Sequence, residues 1–412
     1  MKSSYRSLIA SRLLIPMILM FAGSALASGA AETVIYSFQD GGDGAHPLAG
    51  LVADHGNLYG TTSNGGGGPC TGGCGTVFQL TPSQGDTWTE TLLYTFQGGN
   101  DGVAPEASLI FDAAGNLYGT TVVGGSAGVG TVFQLAPQGG SWVETVLYNF
   151  TGGSDGAYPV APLVFDTVGN LYGTTLFGGP RNAGVVFRLA PPAQQGGAWT
   201  ETVLHTFGLG NDGIDPMAGL ILDKRGPLYG TTYDGLVFKL TPPAPGHTTW
   251  TERVLYRFTG GGNNGSEPCS LIAGRNGVLY GTTNLGGSHA NAGTVFQLTP
   301  APSGKWTEAT LYSFTGGTDG GLACGRLVAD RAGNLYGTTS GNGQNIPGTV
   351  FQLTPPAQQG GVWTETTLHD FAGGQDGLSP AGGVIFGKGG ALYGTTAAGG
   401  LPGGGTVYQV VP

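Results

Sequence analysis

The pentapeptide Leu-Tyr-Gly-Thr-Thr occurs seven times, beginning at Leu58, Leu117, Leu171, Leu228, Leu279, Leu335 and Leu392, at spacings of 59, 54, 57, 51, 56 and 57 residues. Recurrence at so regular a period marks a repeat architecture, so the 412 residues are not to be divided into two or three ordinary domains. Each copy carries four strand-like segments. In the second copy these are the apolar run Ser108 to Asp112, Leu117 to Thr121, Thr131 to Leu135, and Trp142 to Phe150. Turn chemistry separates them, including Gly115-Asn116 and a Pro-Gln-Gly-Gly stretch. Beyond the first 27 residues no apolar stripe at helical spacing runs for ten residues, so almost no helix is predicted there.

A four-stranded antiparallel unit repeated radially is a propeller blade. The ends of the chain support a closed ring. Glu32 to Phe38 has the pattern of a fourth strand but precedes the first full repeat, and the last repeat stops after its third strand, Gly405 to Val411. The N-terminal segment therefore supplies the strand that the last blade lacks, leaving no open edge. The predicted fold is an all-β, seven-bladed propeller of seven tandem four-stranded repeats, its ring closed by the N-terminal strand. A β-helix, whose rungs are shorter and parallel, fits less well. By order, the Leu-Ile-Phe-Asp strand lies nearest the axis and is buried on both faces. The Trp-Thr-Glu-Thr strand is outermost, and Gly-Gly-x-Asp-Gly-x-x-Pro crosses to the next blade.

Residues 1–27 are expected to be a secretory signal peptide and 28–412 the propeller. Lys2, Arg6 and Arg12 precede the apolar run Leu13 to Ala22, and Ala25-Leu26-Ala27 provides small residues for cleavage. No other stretch approaches the ~20 apolar residues of a spanning helix, so no transmembrane segment is expected in the mature chain. Removing the leader leaves 12 basic residues against 25 acidic ones, a net charge of −13. Such a surface repels phosphate backbones and anionic lipid, which argues against nucleic acid as a partner. Export permits disulfides. Cys70 and Cys74 share one loop and are expected to pair. Cys269 and Cys324 lie 55 residues apart, about one repeat, and are expected to staple blades five and six. In this alignment Cys324 occupies the loop-proline position and Cys269 follows its own proline.

Leu-Tyr-Gly-Thr-Thr, Gly-Thr-Val-Phe-Gln-Leu-Thr-Pro, Trp-Thr-Glu-Thr-x-Leu-Tyr-x-Phe and Gly-Gly-x-Asp-Gly-x-x-Pro together resemble the bacterial GloVer tandem-repeat family, choice-of-anchor proteins that are exported. The resemblance spans residues 32–412. It implies a secreted or cell-surface repeat protein and brings no catalytic residues or substrate. The chain stops at Pro412 with neither hydrophobic tail nor basic terminus, so release to periplasm or medium is expected rather than anchoring.

Constant positions serve the fold, so the Leu-Tyr-Gly-Thr-Thr tyrosines and the outer-strand tryptophans are read as packing. The crossing-loop acids Asp43, Asp101, Asp155, Asp212, Asp319 and Asp376 are read as turn caps. No cofactor is expected, with calcium at these acids as the alternative. The variable residue before the loop proline reads His46, Ala104, Tyr158, Asp215, Glu267, Ala323 and Ser379, and Glu106 follows its proline. His46, Glu106, Tyr158, Asp215 and Glu267 are therefore the candidate ligand-binding residues at one mouth of the central channel. Asp215 and Glu267, from neighbouring blades, could also act as acid and base. The leading expectation is an exported, monomeric, non-enzymatic binding or scaffold propeller with a glycan or surface protein as partner. The alternatives are a carbohydrate-active lyase or hydrolase using the mouth acids, and a structural or adhesion protein.

Overall fold

The computed structural model describes residues 30–412 except 86, 195, 262–263, 290, 342–346 and 359. The expected leader, 1–27, lies outside the described residues. Seven four-stranded antiparallel sheets form a seven-bladed propeller. In blade 2 the strands run outward as Ile110–Phe111, Leu117–Thr121, Thr131–Gln138 and Ser141–Asn149. The seventh sheet is made by Val384–Phe386, Leu392–Thr396, Thr406–Val411 and, outermost, Ala31–Ser37. Glu32 pairs with Val410 and Tyr36 with Val407, so the two ends of the chain share one blade. The only helical elements among the described residues are three-residue 3-10 turns, the first at Gly99–Asp101. None of the described helices is long and apolar enough to cross a membrane.

The glycine of each Leu-Tyr-Gly-Thr-Thr is required by contact rather than by backbone torsion. Gly119 lies beneath the third-strand ring of its own blade: a Cβ there would stand 2.6 Å from Phe133 Cζ and 2.9 Å from Leu109 Cδ2. Gly60 under Phe78 and Gly281 under Phe296 repeat the contact. The ring so seated meets, mostly edge-on, the phenylalanine that ends the preceding blade's outer strand. Phe96–Phe133, Phe150–Phe187, Phe207–Phe238, Phe258–Phe296 and Phe314–Phe351 have centroids 4.7–5.2 Å apart. The ring closes on the same device, with Phe371 against Tyr408 and Phe38 against Phe78. Edge-on aromatic pairs add about 0.5–1.5 kcal/mol each beyond the area they bury.

The repeated tyrosines also join blades. Tyr118 meets Trp199 of the next blade at 6.4 Å, and Tyr172 meets Trp250 at 6.3 Å. The Tyr118 hydroxyl donates to Asp112 (3.0 Å) and accepts from Gln134 (2.6 Å), while Asp112 caps its turn by accepting from the amides of Ala114 and Asn116. The closing strand has Ala30 where the others have tryptophan, and Ala30 packs against the core cluster that contains Tyr336.

The inner strands differ from expectation. Only Ile110 and Phe111 of the second apolar run pair with their own blade, and both are half-buried. The fully buried strand is the second one, Leu117–Thr121. The residues before Ile110 turn to the neighbouring blade, where the Ala107 carbonyl accepts from Thr61 Oγ1, and the inner faces border an open channel.

Between blades lies a repeated acidic contact. Tyr94 of blade 1 donates to the crossing-loop Asp101 at 2.8 Å, and Glu144 of blade 2 faces the same carboxylate. Burial, then Asp101, pushes Glu144 up to about 8. Burial and the corresponding aspartate push Glu32, Glu90, Glu201 and Glu252 to about 7. Glu308 shows the role of the partner: its loop carries Asn264, and only burial raises it.

Two outcomes are expected. Gly119→Ala should cost about 1–3 kcal/mol, because Phe133 is clamped from both sides and cannot yield; denaturant unfolding measures it. The glutamates bind protons more tightly in the folded state. Their contribution is therefore full below the ordinary value of 4.5 and lost as pH rises through about 7–8. Thermal unfolding should show a falling Tm between pH 5 and 8.5, with Glu144→Gln raising Tm at pH 8.5 but not at pH 5.

Candidate functional site

The residue before each loop proline has a backbone role. His46, Ala104, Tyr158, Asp215, Glu267, Leu322 and Ser379 all have φ between 55° and 58°. Such left-handed torsions cost a side-chain-bearing residue about 1–2 kcal/mol. They persist because both peptide groups are engaged. The Tyr158 amide donates to Val129 O of the preceding blade (2.8 Å), and its carbonyl accepts from Leu176 N (3.0 Å). Asp215 does the same with Ala183 O and Tyr233 N. The side chain is therefore free to vary while the backbone clamps two blades.

In the sixth copy the clamp is Leu322, not Ala323. That copy lacks the proline: Ala323 stands in its place, and Cys324 follows it. Counting three residues from Asp319, as from Asp155 to Tyr158, recovers the register. Cys269 and Cys324 thus both follow the proline position of their blades, and their Cα atoms are 5.1 Å apart in a disulfide that joins blades 5 and 6 at the channel. Cys70–Cys74 closes the loop after the second strand of blade 1.

The inner strands enclose a channel of about 1060 Å³. Of the expected site residues, Glu106 and Glu267 line it. His46 instead donates from Nδ1 to Ala397 O (2.9 Å), and Tyr158 sets its ring edge against Phe177. Asp215 lies outside the lining; burial first, and then Asp234 of its own blade, raise its pKa. Around the rim, Leu48, Val160, Met217 and Ala381 are apolar, and the disulfide fills the arc between blades 5 and 6. Glu106 is raised by burial.

Tyr233 and Asn284 join the site without having been singled out by sequence. Asn284 Nδ2 donates to Glu267 Oε2 at 2.9 Å. Tyr233 lines the channel beside Glu267, whose carboxylate raises the phenol, and it lies within electrostatic reach of Asp215. Both residues follow the Thr-Thr of their blades, a position otherwise held by residues such as Val122, Leu176 and Ala397. Arg326, also missed, is the one cation lining the channel among the described residues. The crossing-loop acids are occupied as caps: Asp155 accepts from Tyr148 OH (3.1 Å), Thr151 N (2.8 Å) and Thr151 Oγ1 (2.5 Å). Among the described residues, no three His, Cys, Asp or Glu side chains come together as metal ligands.

The two disulfides should differ in weight. Cys269–Cys324 closes a separation of 55 residues and Cys70–Cys74 one of 4. Loop-closure entropy assigns them roughly 4 and roughly 2 kcal/mol. Cys269→Ser with Cys324→Ser should therefore lower the unfolding free energy about twice as much as the Cys70/Cys74 double substitution, measured by urea unfolding.

Comparison with known proteins places this geometry in context. The propeller is similar to an ancestral GH74 enzyme (TM-score 0.59, 13% identity, 89% of this chain and 48% of that one). It is similar to a candidate 6-phosphogluconolactonase of Bacteroides uniformis (0.52, 16%, 82% and 89%). It is also similar to PorZ, a bacterial surface component of the type-IX secretion system of Porphyromonas gingivalis (0.51, 16%, 87% and 46%). At these identities the likeness concerns the fold. A search of curated proteins gave no match. The model of the Gloeobacter/Verrucomicrobia repeat matches residues 24–236 and 233–412, and the chain belongs to that repeat family.

Proposed function

We propose that this chain is an exported, non-enzymatic binding propeller whose central channel takes a small polar ligand such as a glycan fragment. One observation carries the reading: the channel combines apolar walls with a few convergent polar groups, Glu106, Glu267, Tyr233 and Asn284, at positions that differ from blade to blade. Ligand sites have this composition and this size. Leu48, Val160 and Met217 suit the apolar faces of a sugar ring, and the carboxylates and amide suit its hydroxyls. The two disulfides fit an oxidising compartment outside the cytoplasm. The structural neighbours have varied roles, so the fold itself does not choose among them.

A second reading, acid–base chemistry on a carbohydrate, draws support from Tyr233, whose phenol is raised by Glu267 and, to a smaller extent, by Asp215. It is weaker because the shift of Asp215 comes from burial and Asp234, not from a direct partnership with Glu267.

A thermal-shift screen of the purified protein against glycan fragments tests both. A bound ligand should raise Tm by mass action. The shift should vanish in Val160→Trp/Met217→Trp, which fills the rim, and no product should form on incubation. Turnover abolished by Glu267→Gln would establish the enzyme reading. Shifts unaffected by the rim-filling variant would move the site elsewhere.

A further inference from the structure

Each inner strand enters the wall with a buried Leu or Val: Leu51, Leu109, Leu163, Leu220, Leu271, Leu327 and Val384. The residues just before these are Gly50, Ser108, Pro162, Gly219, Ser270, Arg326 and Gly383, and the first six line the channel. Six of the seven are small or cyclic, and close packing explains the glycines. A Cβ on Gly50 would lie 2.5 Å from Gly382 O, and one on Gly219 2.9 Å from Pro162 Cγ. One long, charged side chain at this position is a departure that the fold does not need.

Arg326 is also unpaired. It makes no hydrogen bond or ion pair with another described residue, and no neighbouring charge contributes to its titration; burial alone lowers its pKa. It is nonetheless exposed in accessible surface. A side chain that touches solvent while protein surrounds it on all sides stands inside a channel. A solvated cation with no anion in the wall around it is free to take one from solution, and its planar donor fork matches a carboxylate. The rim is of opposite character, with Glu106 and Glu267. Arg326 lies two residues beyond rim residue Cys324, on the segment that leads from the rim into the inner strand Val328–Ala329.

We infer that the channel binds a carboxylate-bearing sugar, with the carboxylate on Arg326 and the hydroxyls towards Glu106, Glu267, Tyr233 and Asn284. This inference rests on the channel-binding reading and gives it a substrate class. The rim glutamates Glu106 and Glu267 set orientation, since the sugar's carboxylate is repelled by them and accepted at Arg326.

Calorimetric titration with D-galacturonate and D-galactose, which differ at one carbon, tests it at fixed ionic strength. The wild-type protein should bind galacturonate at least about tenfold more tightly, the factor that ~1.4 kcal/mol represents. Arg326→Gln should bring the two affinities together while keeping its fold by circular dichroism, and Arg326→Lys should retain part of the preference. Equal affinities in the wild type, or an undiminished preference in Arg326→Gln, would overturn the inference and leave the channel reading standing. Binding of neither sugar to any of the three proteins would overturn both.

Discussion

A phenyl ring seated on a glycine holds the ring of blades together. In each blade the second-strand glycine leaves room for the third-strand aromatic, and that ring receives the terminal phenylalanine of the blade before it. The contact is short, buried and tolerant of neither a larger residue below nor a smaller one above. It fixes the distance between neighbouring blades, and seven equal distances fix a circle. Because Phe38 of the first strand and Tyr408 of the last take part, closing the circle uses the same contact as building it.

The central space follows from that spacing. The inner strands pair with their own blades over only two or three residues in most blades, lend carbonyls to their neighbours and leave an open channel. Blade 5 is the exception, with the longer strand Gly265–Ala273 and a register shift between Pro268 and Ser270, where the disulfide sits. Residues that recur in most blades are spent on interfaces: the tyrosine–tryptophan edges, the aspartate caps and the glutamates facing crossing-loop acids. Of the residues that are not repeated, Glu106, Tyr233, Glu267, Asn284 and Arg326 line the channel. The repeated parts specify the frame and the unrepeated ones its chemistry.

Much of the frame was legible in the sequence because a repeat reports its own register. Seven pentapeptides counted the blades, and the displaced fourth-strand pattern at Glu32 announced the closure. Less was legible where a copy departs from the pattern. The missing proline in the sixth copy shifted Leu322, Ala323 and Cys324 by one place. The loop position chosen for its variability proved to be a left-handed backbone clamp, so variation there reflects tolerance as much as function. His46 and Tyr158 sit on that clamp and turn to neighbouring loops. Tyr233 and Arg326 went unnoticed because they stand one residue beyond familiar motifs. Comparing the residue before each buried inner-strand leucine, Gly50 through Gly383, would have exposed Arg326 from sequence alone.

Hydrogen exchange across the whole chain, with and without saturating D-galacturonate, tests most directly the claim that interfaces carry the fold and the channel carries the ligand. The account expects added protection confined to inner-strand peptides around Glu106, Glu267 and Arg326, with the outer strands, Ala31–Ser37 included, already protected and unchanged. Added protection centred on the outer strands or crossing loops, with the inner strands unaffected, would contradict it.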